Sequence, residues 1–207
     1  MTPSRRAAVA AALLLPAVAL SGCASSSTSG SGSGTSSSPS TSASASGEVK
    51  YAASDCAKLE APTISTTPPT GGTTVDGVTV TGEPPAAPGI TLSSQAKVPT
   101  TLVTKDLVEG TGAEVKPGAT VTANYCGVGM ITGQIFDSSW ARGGTPISFG
   151  LDQVIAGWTQ GIPGMKVGGQ RLLIIPGDLG YGAAGNSAAG IQPNEPLVFV
   201  VDLTATS

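Results

Sequence analysis

The chain contains no histidine, and only 11% of its residues are charged, against an average of about 25%. The missing histidine excludes Ser–His and Cys–His nucleophile pairs and His-ligated metal centres. The few charges sum to −3, which leaves no basic face for nucleic acid or anionic lipid. Aromatic residues are scarce too, at 4% of the chain, yet seven of the eight fall between Tyr125 and Phe199, with Tyr51 alone outside. The core therefore belongs in the second half. The longest apolar run, Ala7 to Leu20, is too short for a membrane-spanning helix of about 20 residues.

What is present divides the chain into four parts. Arg5 and Arg6, the apolar run and a small-residue processing site make residues 1–22 an export signal. The signal ends in Leu20-Ser21-Gly22-Cys23, which resembles the lipobox of bacterial lipoproteins. That resemblance implies a diacylated Cys23 as first mature residue and a lipid anchor on the outer face of the cytoplasmic membrane; the alternative is plain secretion with Cys23 incidental. Residues 23–47 are almost entirely Ser, Gly, Thr and Ala, too polar to offset the entropy of ordering, and read as a disordered tether. A flexible chain of that length spans roughly 25 to 30 Å.

Residues 48–99 are Pro- and Thr-rich. Asp76-Gly77 between short β-prone runs signals a hairpin, and Gly89 to Leu92 is expected as a strand added to the following domain. The segment is not expected to fold alone. With Cys23 lipidated, Cys56 and Cys126 remain, and an even remainder in an oxidising compartment points to a Cys56–Cys126 disulfide. The alternative is two separate thiols.

Residues 100–207 form the compact domain. Strands are predicted at Thr101–Val108, Thr120–Cys126, Ile135–Phe136, Ile147–Phe149, Arg171–Ile175 and Leu197–Leu203. Alternation in the second puts Val121, Ala123 and Tyr125 on one face and Cys126 on the other. Val154, Ile155 and Trp158 have helical spacing, which predicts one short helix over Gln153–Gln160 with Gly161 as its stop. The fold class is α+β, a twisted antiparallel β-sheet wrapping one short α-helix.

The stretches Glu109-Gly110-Thr111-Gly112, Asn124-Tyr125, Phe136-Asp137-Ser138-Ser139, Val154-Ile155-Ala156-Gly157-Trp158, Gly164-Met165-Lys166-Val167-Gly168-Gly169 and Leu179-Gly180-Tyr181-Gly182 resemble, in order and spacing, those of FKBP-type peptidyl-prolyl isomerases. The resemblance covers Thr101 to Leu203 and implies a prolyl pocket. Trp158 would be its floor, with Tyr125, Phe136, Val154, Ile155 and Phe199 as walls and Phe149 beside them. The Tyr181 hydroxyl and the Ile155 amide would donate to substrate carbonyls. Asp137 would sit at the rim, held by Arg142, and Ile191 would cover one side. Ile147 stands where the family often has an aromatic, which would loosen one edge. The resemblance further implies proline-containing exported proteins as substrates, macrolides as inhibitors, no metal or cofactor, and action as a monomer.

Such a pocket suits rotation about an X-Pro bond, whose intrinsic barrier is roughly 18 to 20 kcal/mol and which needs no nucleophile. Ser138 and Ser139 have no partner base to activate them, which argues against serine hydrolysis. A module that grips proline-containing partners with little turnover is the second reading, and Ile147 favours it. A purely structural surface lipoprotein is a third.

Overall fold

The structure, a computed structural model, describes residues 48–207; Cys23 and the tether lie outside the described residues. Two antiparallel sheets account for almost all of the regular structure. The first is built from β1 (Tyr51–Asp55), β2 (Thr63–Ser65), β3 (Thr73–Val75), β4 (Val78–Thr81) and β5 (Gly89–Ser93), in the order β2-β1-β5-β4-β3. The second contains β6 (Val103–Val108), β7 (Thr120–Gly129), β8 (Ile135–Ser138), β9 (Ile147–Gly150), β10 (Gln170–Ile175) and β11 (Leu197–Thr206). Its order is β6-β10-β11-β7-β8, with β9 pairing the first half of β7 and β8 the second.

The Asp76-Gly77 turn forms as its sequence dictates. Both residues have positive φ, 49° and 85°, the pairing that a two-residue hairpin turn needs to match strand twist, and it joins β3 to β4 in register Val75↔Val78. This hairpin is only two of five strands. β5, expected to extend the following domain, instead pairs with β1 and β4 inside the first sheet. The reason is its alternation: Ile90 and Leu92 point one way, together with Val78 and Val80 of β4, and make an apolar face of their own.

That face is covered by the back of the second sheet. Cys126, Val128, Leu172, Ile174, Val198 and Val200 form one buried cluster with Cys56, Val78, Val80, Ile90 and Leu92. At about 1.5–3 kcal/mol for each large aliphatic side chain buried, this cluster supplies the driving force that residues 48–99 lack by themselves. Cys56 and Cys126 are joined by a disulfide across it.

The front of the second sheet carries the other core: Val121, Ala123 and Tyr125 from β7, Leu173 and Ile175 from β10, and Leu197, Phe199, Val201 and Leu203 from β11. Helix α1 (Ala156–Gly161) lies on it. The helix is shorter than its apolar spacing predicts, because Ile155 is extended (ψ 149°) and Val154 precedes it; Gly161 is its last residue rather than its stop. Gly157 lets the helix approach β10, since a Cβ there would lie 2.5 Å from Ile175 Cγ2. Arg171 fixes its far end: Nη1 donates to the Gly161 carbonyl at 2.8 Å, while Nε and Nη2 make a two-pronged pair with Asp106 on β6 at 2.6 and 2.9 Å. A cation at a helix C-terminus is favoured by the helix dipole as well. Trp158 is thus held in place from both ends of its helix.

Candidate active site

Trp158 makes three edge-to-face aromatic contacts. Its ring is 5.6 Å from Tyr125, 5.6 Å from Phe149 and 5.4 Å from Phe199, and Tyr125 and Phe149 meet at 5.5 Å. Phe136 packs on Phe199 at 5.4 Å. Interplanar angles of 72° to 87° bring positive ring edges against negative faces. The aromatics come from β7, β8, β9, α1 and β11, so five separate elements converge on one concavity. Its volume is about 180 Å³. A drug-sized ligand fills roughly 300 Å³ or more, so this cavity takes a single small ring and leaves the rest of a ligand outside.

Nine residues line it: Tyr125, Phe136, Asp137, Phe149, Val154, Ile155, Trp158, Tyr181 and Phe199. The three remaining residues expected at the site lie outside this set. Arg142 is on the rim and reaches the cavity through two lining residues, Asp137 and Tyr125. Ile147 is on β9 opposite Ala123 and packs into the front core. Ile191 is 3% exposed and packs in the same core.

The polar groups are few and arranged at the edge. The Tyr125 hydroxyl donates to one Asp137 oxygen, Arg142 donates to the other, and Arg142 Nη2 also donates to the Tyr125 hydroxyl at 2.9 Å. Arg142 is brought back over the strand by a tight turn, Trp140–Arg142, that closes on Gly143 with φ 97°. The cup also has two donors without a protein acceptor among the described residues: the Ile155 amide, freed by the extended backbone that opens α1, and the Tyr181 hydroxyl, on a residue 36% exposed. An apolar cup with two available donors and a fixed carboxylate can hold a ring and orient a carbonyl.

Sequence reasoning passed over three residues that shape the cup. Gly127 faces Asp137 on β8 and Phe199 on β11; a Cβ there would lie 2.5 Å from Phe136 and 2.8 Å from Phe199. Ser139 donates its hydroxyl to Asn124 Oδ1 at 2.9 Å and accepts from the Tyr125 amide at 3.0 Å, which prolongs the β7–β8 ladder past the point where β8 ends. Ser138, on the back face, donates to the Cys56 carbonyl at 2.6 Å. A glycine inside a strand pattern signals close approach of another group, and Gly127 carried that signal.

Comparison with known proteins gives the chain a family. A family model described as FKBP-type peptidyl-prolyl cis-trans isomerase matches residues 112–204, a span containing every lining residue. An FK506-binding protein of Streptomyces anulatus is 51% identical over 109 residues, covering 52% of this chain and 87% of that protein. A probable FK506-binding protein of Corynebacterium glutamicum is 49% identical over 105 residues, covering 51% and 86%. A solved peptidyl-prolyl cis-trans isomerase from Pseudomonas syringae pv. tomato matches with TM-score 0.47 at 38% identity, over 51% of this chain and 75% of that one. The first sheet lies wholly outside the span that the family model matches. By the identity and coverage of the two FK506-binding proteins, the chain belongs to the FKBP-type peptidyl-prolyl cis-trans isomerase family.

Proposed function

We propose that this protein accelerates cis/trans rotation about X-Pro bonds by non-covalent binding in the Trp158 cup, and that its substrates are proline-containing exported proteins. The observation that carries the reading is the pairing of an aromatic cup with two donors that have no acceptor among the described residues, the Ile155 amide and the Tyr181 hydroxyl. In the twisted transition state the amide loses resonance and its nitrogen becomes pyramidal and more basic. Water stabilises the planar, charge-separated ground state better than an aromatic wall does, so moving the prolyl group onto Trp158 narrows the gap. The Ile155 amide and Tyr181 hydroxyl hold the substrate carbonyls so that binding favours the twisted geometry.

Phe136, Phe149, Val154 and Phe199 form the walls. Asp137, fixed by Tyr125 and Arg142, sets an oriented charge at the edge whose field acts on the carbonyl dipole as it swings. Each tenfold acceleration requires about 1.4 kcal/mol of differential stabilisation, which a few such contacts supply. Macrolides of the kind that bind this family are expected to insert a ring into the same cup.

The lipobox supports anchoring through Cys23 on the outer face of the cytoplasmic membrane, where folding exported chains are within reach of the tether. The protein acts there as a monomer. Acceleration of X-Pro peptide isomerisation, blocked by a macrolide, tests the activity. Incorporation of labelled palmitate, lost in Cys23→Ala, tests the anchor.

A further inference from the structure

The front-face triad of Tyr125, Asp137 and Arg142 has a counterpart directly behind it. Cys126, Ser138 and Ala141 are the immediate chain neighbours of those three residues, and all three are held through the same two groups. Cys126 is bonded to Cys56. Ser138, the cross-strand partner of Cys126 in the β7–β8 ladder, donates its hydroxyl to the Cys56 carbonyl at 2.6 Å. The same hydroxyl accepts from the Ala141 amide at 3.4 Å, at the turn that returns Arg142 to Asp137. Cys56, Cys126 and Ser138 are each 0% exposed. Cys56 is itself fixed in the first sheet by its amide, which donates to the Pro88 carbonyl at 3.1 Å.

Neighbouring residues on a strand point to opposite faces but share one backbone. β8 has only four residues and is the edge of its sheet, so one ladder to β7 is all that its own sheet provides. The back-face contacts supply a second attachment. Two further ones lie on either side: Ser54 Oγ donates to the Gly133 carbonyl at 3.0 Å in the turn before β8, and Trp140 Nε1 donates to the Pro85 carbonyl at 3.4 Å just after it.

We propose that Cys56 and Ser138 are positioning residues for the isomerase reaction: the first sheet clamps the back of the β7–β8 pair and thereby fixes the Tyr125–Asp137–Arg142 geometry on the front. This rests on the pocket being the site of isomerisation. Ser138→Ala severs the clamp at its hydroxyl and leaves the disulfide intact. A paired Cys56→Ala, Cys126→Val protein severs it at the disulfide.

The experiment measures kcat/KM on an X-Pro peptide with the full chain, for wild type and both clamp variants, each also combined with Asp137→Val. Folded fraction is read by circular dichroism in the same samples. Misplacement at a reacting centre is costly, and the clamp variants are expected to lose about tenfold in kcat/KM in the Asp137 background while staying folded. In the Asp137→Val background, where there is no carboxylate left to position, they lose nothing further. A loss of the same size in both backgrounds overturns the proposal, because a merely structural role would produce it. Activity of Ser138→Ala equal to wild type also overturns it. If Ser138→Ala does not fold, the cysteine pair decides by the same comparison. An inactive wild type overturns the function and the clamp together, whereas an active wild type with indifferent clamp variants overturns the clamp alone.

Discussion

The Tyr125 hydroxyl donates its hydrogen bond to Asp137, so the one carboxylate among the nine described lining residues is fixed by a group that also forms the cup's aromatic wall. Removing the carboxylate should therefore cost more than removing the hydroxyl, since Arg142 still holds Asp137 when Tyr125 is replaced by Phe. A hydrogen bond to a charged group contributes about 1.5–3 kcal/mol, so Asp137→Val is expected to lower kcat/KM roughly 10- to 100-fold, a free-energy change of that size in affinity terms. Tyr125→Phe should fall between this variant and wild type. Peptide isomerisation rates for the two variants check the order; Tyr125→Phe as the more damaging would contradict it.

Gly127 is the narrowest point behind the Phe136–Phe199 pair. Gly127→Ala places a methyl group where Phe136 Cζ would be 2.5 Å away, and both rings must move into the cup. Overpacking of this kind costs roughly 1–3 kcal/mol. Macrolide affinity and kcat/KM should both fall, with urea stability reduced by no more than that range. Unchanged affinity would show that the rings relax without entering the cup.

The two sheets share one buried cluster and one disulfide, so they should unfold together. Ile90→Ala removes a side chain that is 0% exposed and should destabilise the whole chain by about 2–5 kcal/mol, in a single urea transition seen alike by Trp fluorescence and circular dichroism. Cutting the 70-residue loop closed by Cys56–Cys126 should cost about 4 kcal/mol on chain-entropy grounds. Two separated transitions, one insensitive to Ile90→Ala, would show that the first sheet is an independent unit.

Much of this was legible in the residues. The strands of the second sheet, the Asp76-Gly77 hairpin and the opposed faces of Tyr125 and Cys126 follow from alternation and turn chemistry, whereas the nine lining residues were implied by the resemblance to the FKBP-type family. The first sheet was not, although a sign of it was there. Gln170–Ile175 and Leu197–Val201 are buried on both faces, and a run of five apolar residues such as Leu197–Val201 means a strand covered on both sides. Read for the pocket alone, those runs accounted for one face only. Residues 48–99 hid their own contribution, because strands of three to five residues between prolines carry little periodicity. The limits of α1 were misread for a different reason: Val154 and Ile155 repeat at helical spacing because they face the same cup as Trp158, not because they share its helix.

Asp202 gives the fold a pH dependence. It lies on the back face of β11, where Oδ1 accepts from Gln170 Nε2 at 2.9 Å and Oδ2 meets no donor among the described residues. Burial pushes its carboxyl up to about 6, against the lowering effect of the Gln170 hydrogen bond. The folded state therefore holds this proton where the unfolded chain has released it, so the contribution is favourable at low pH and is lost as pH rises from about 4 to 6. Asp202→Asn should stabilise the protein at pH 7.5 relative to wild type, with the difference shrinking below pH 4. Urea midpoints across pH 4–8 check this, and a difference that does not vary with pH would contradict it.

The central claim is that the Trp158 cup accelerates X-Pro rotation. It is tested most directly by measuring cis/trans isomerisation across a set of X-Pro peptides with wild type, Tyr181→Phe and Asp137→Val proteins, with a macrolide as competitor. The account predicts acceleration by wild type that the macrolide blocks and both substitutions weaken. Macrolide binding without acceleration would contradict it and leave a module that grips proline-containing chains.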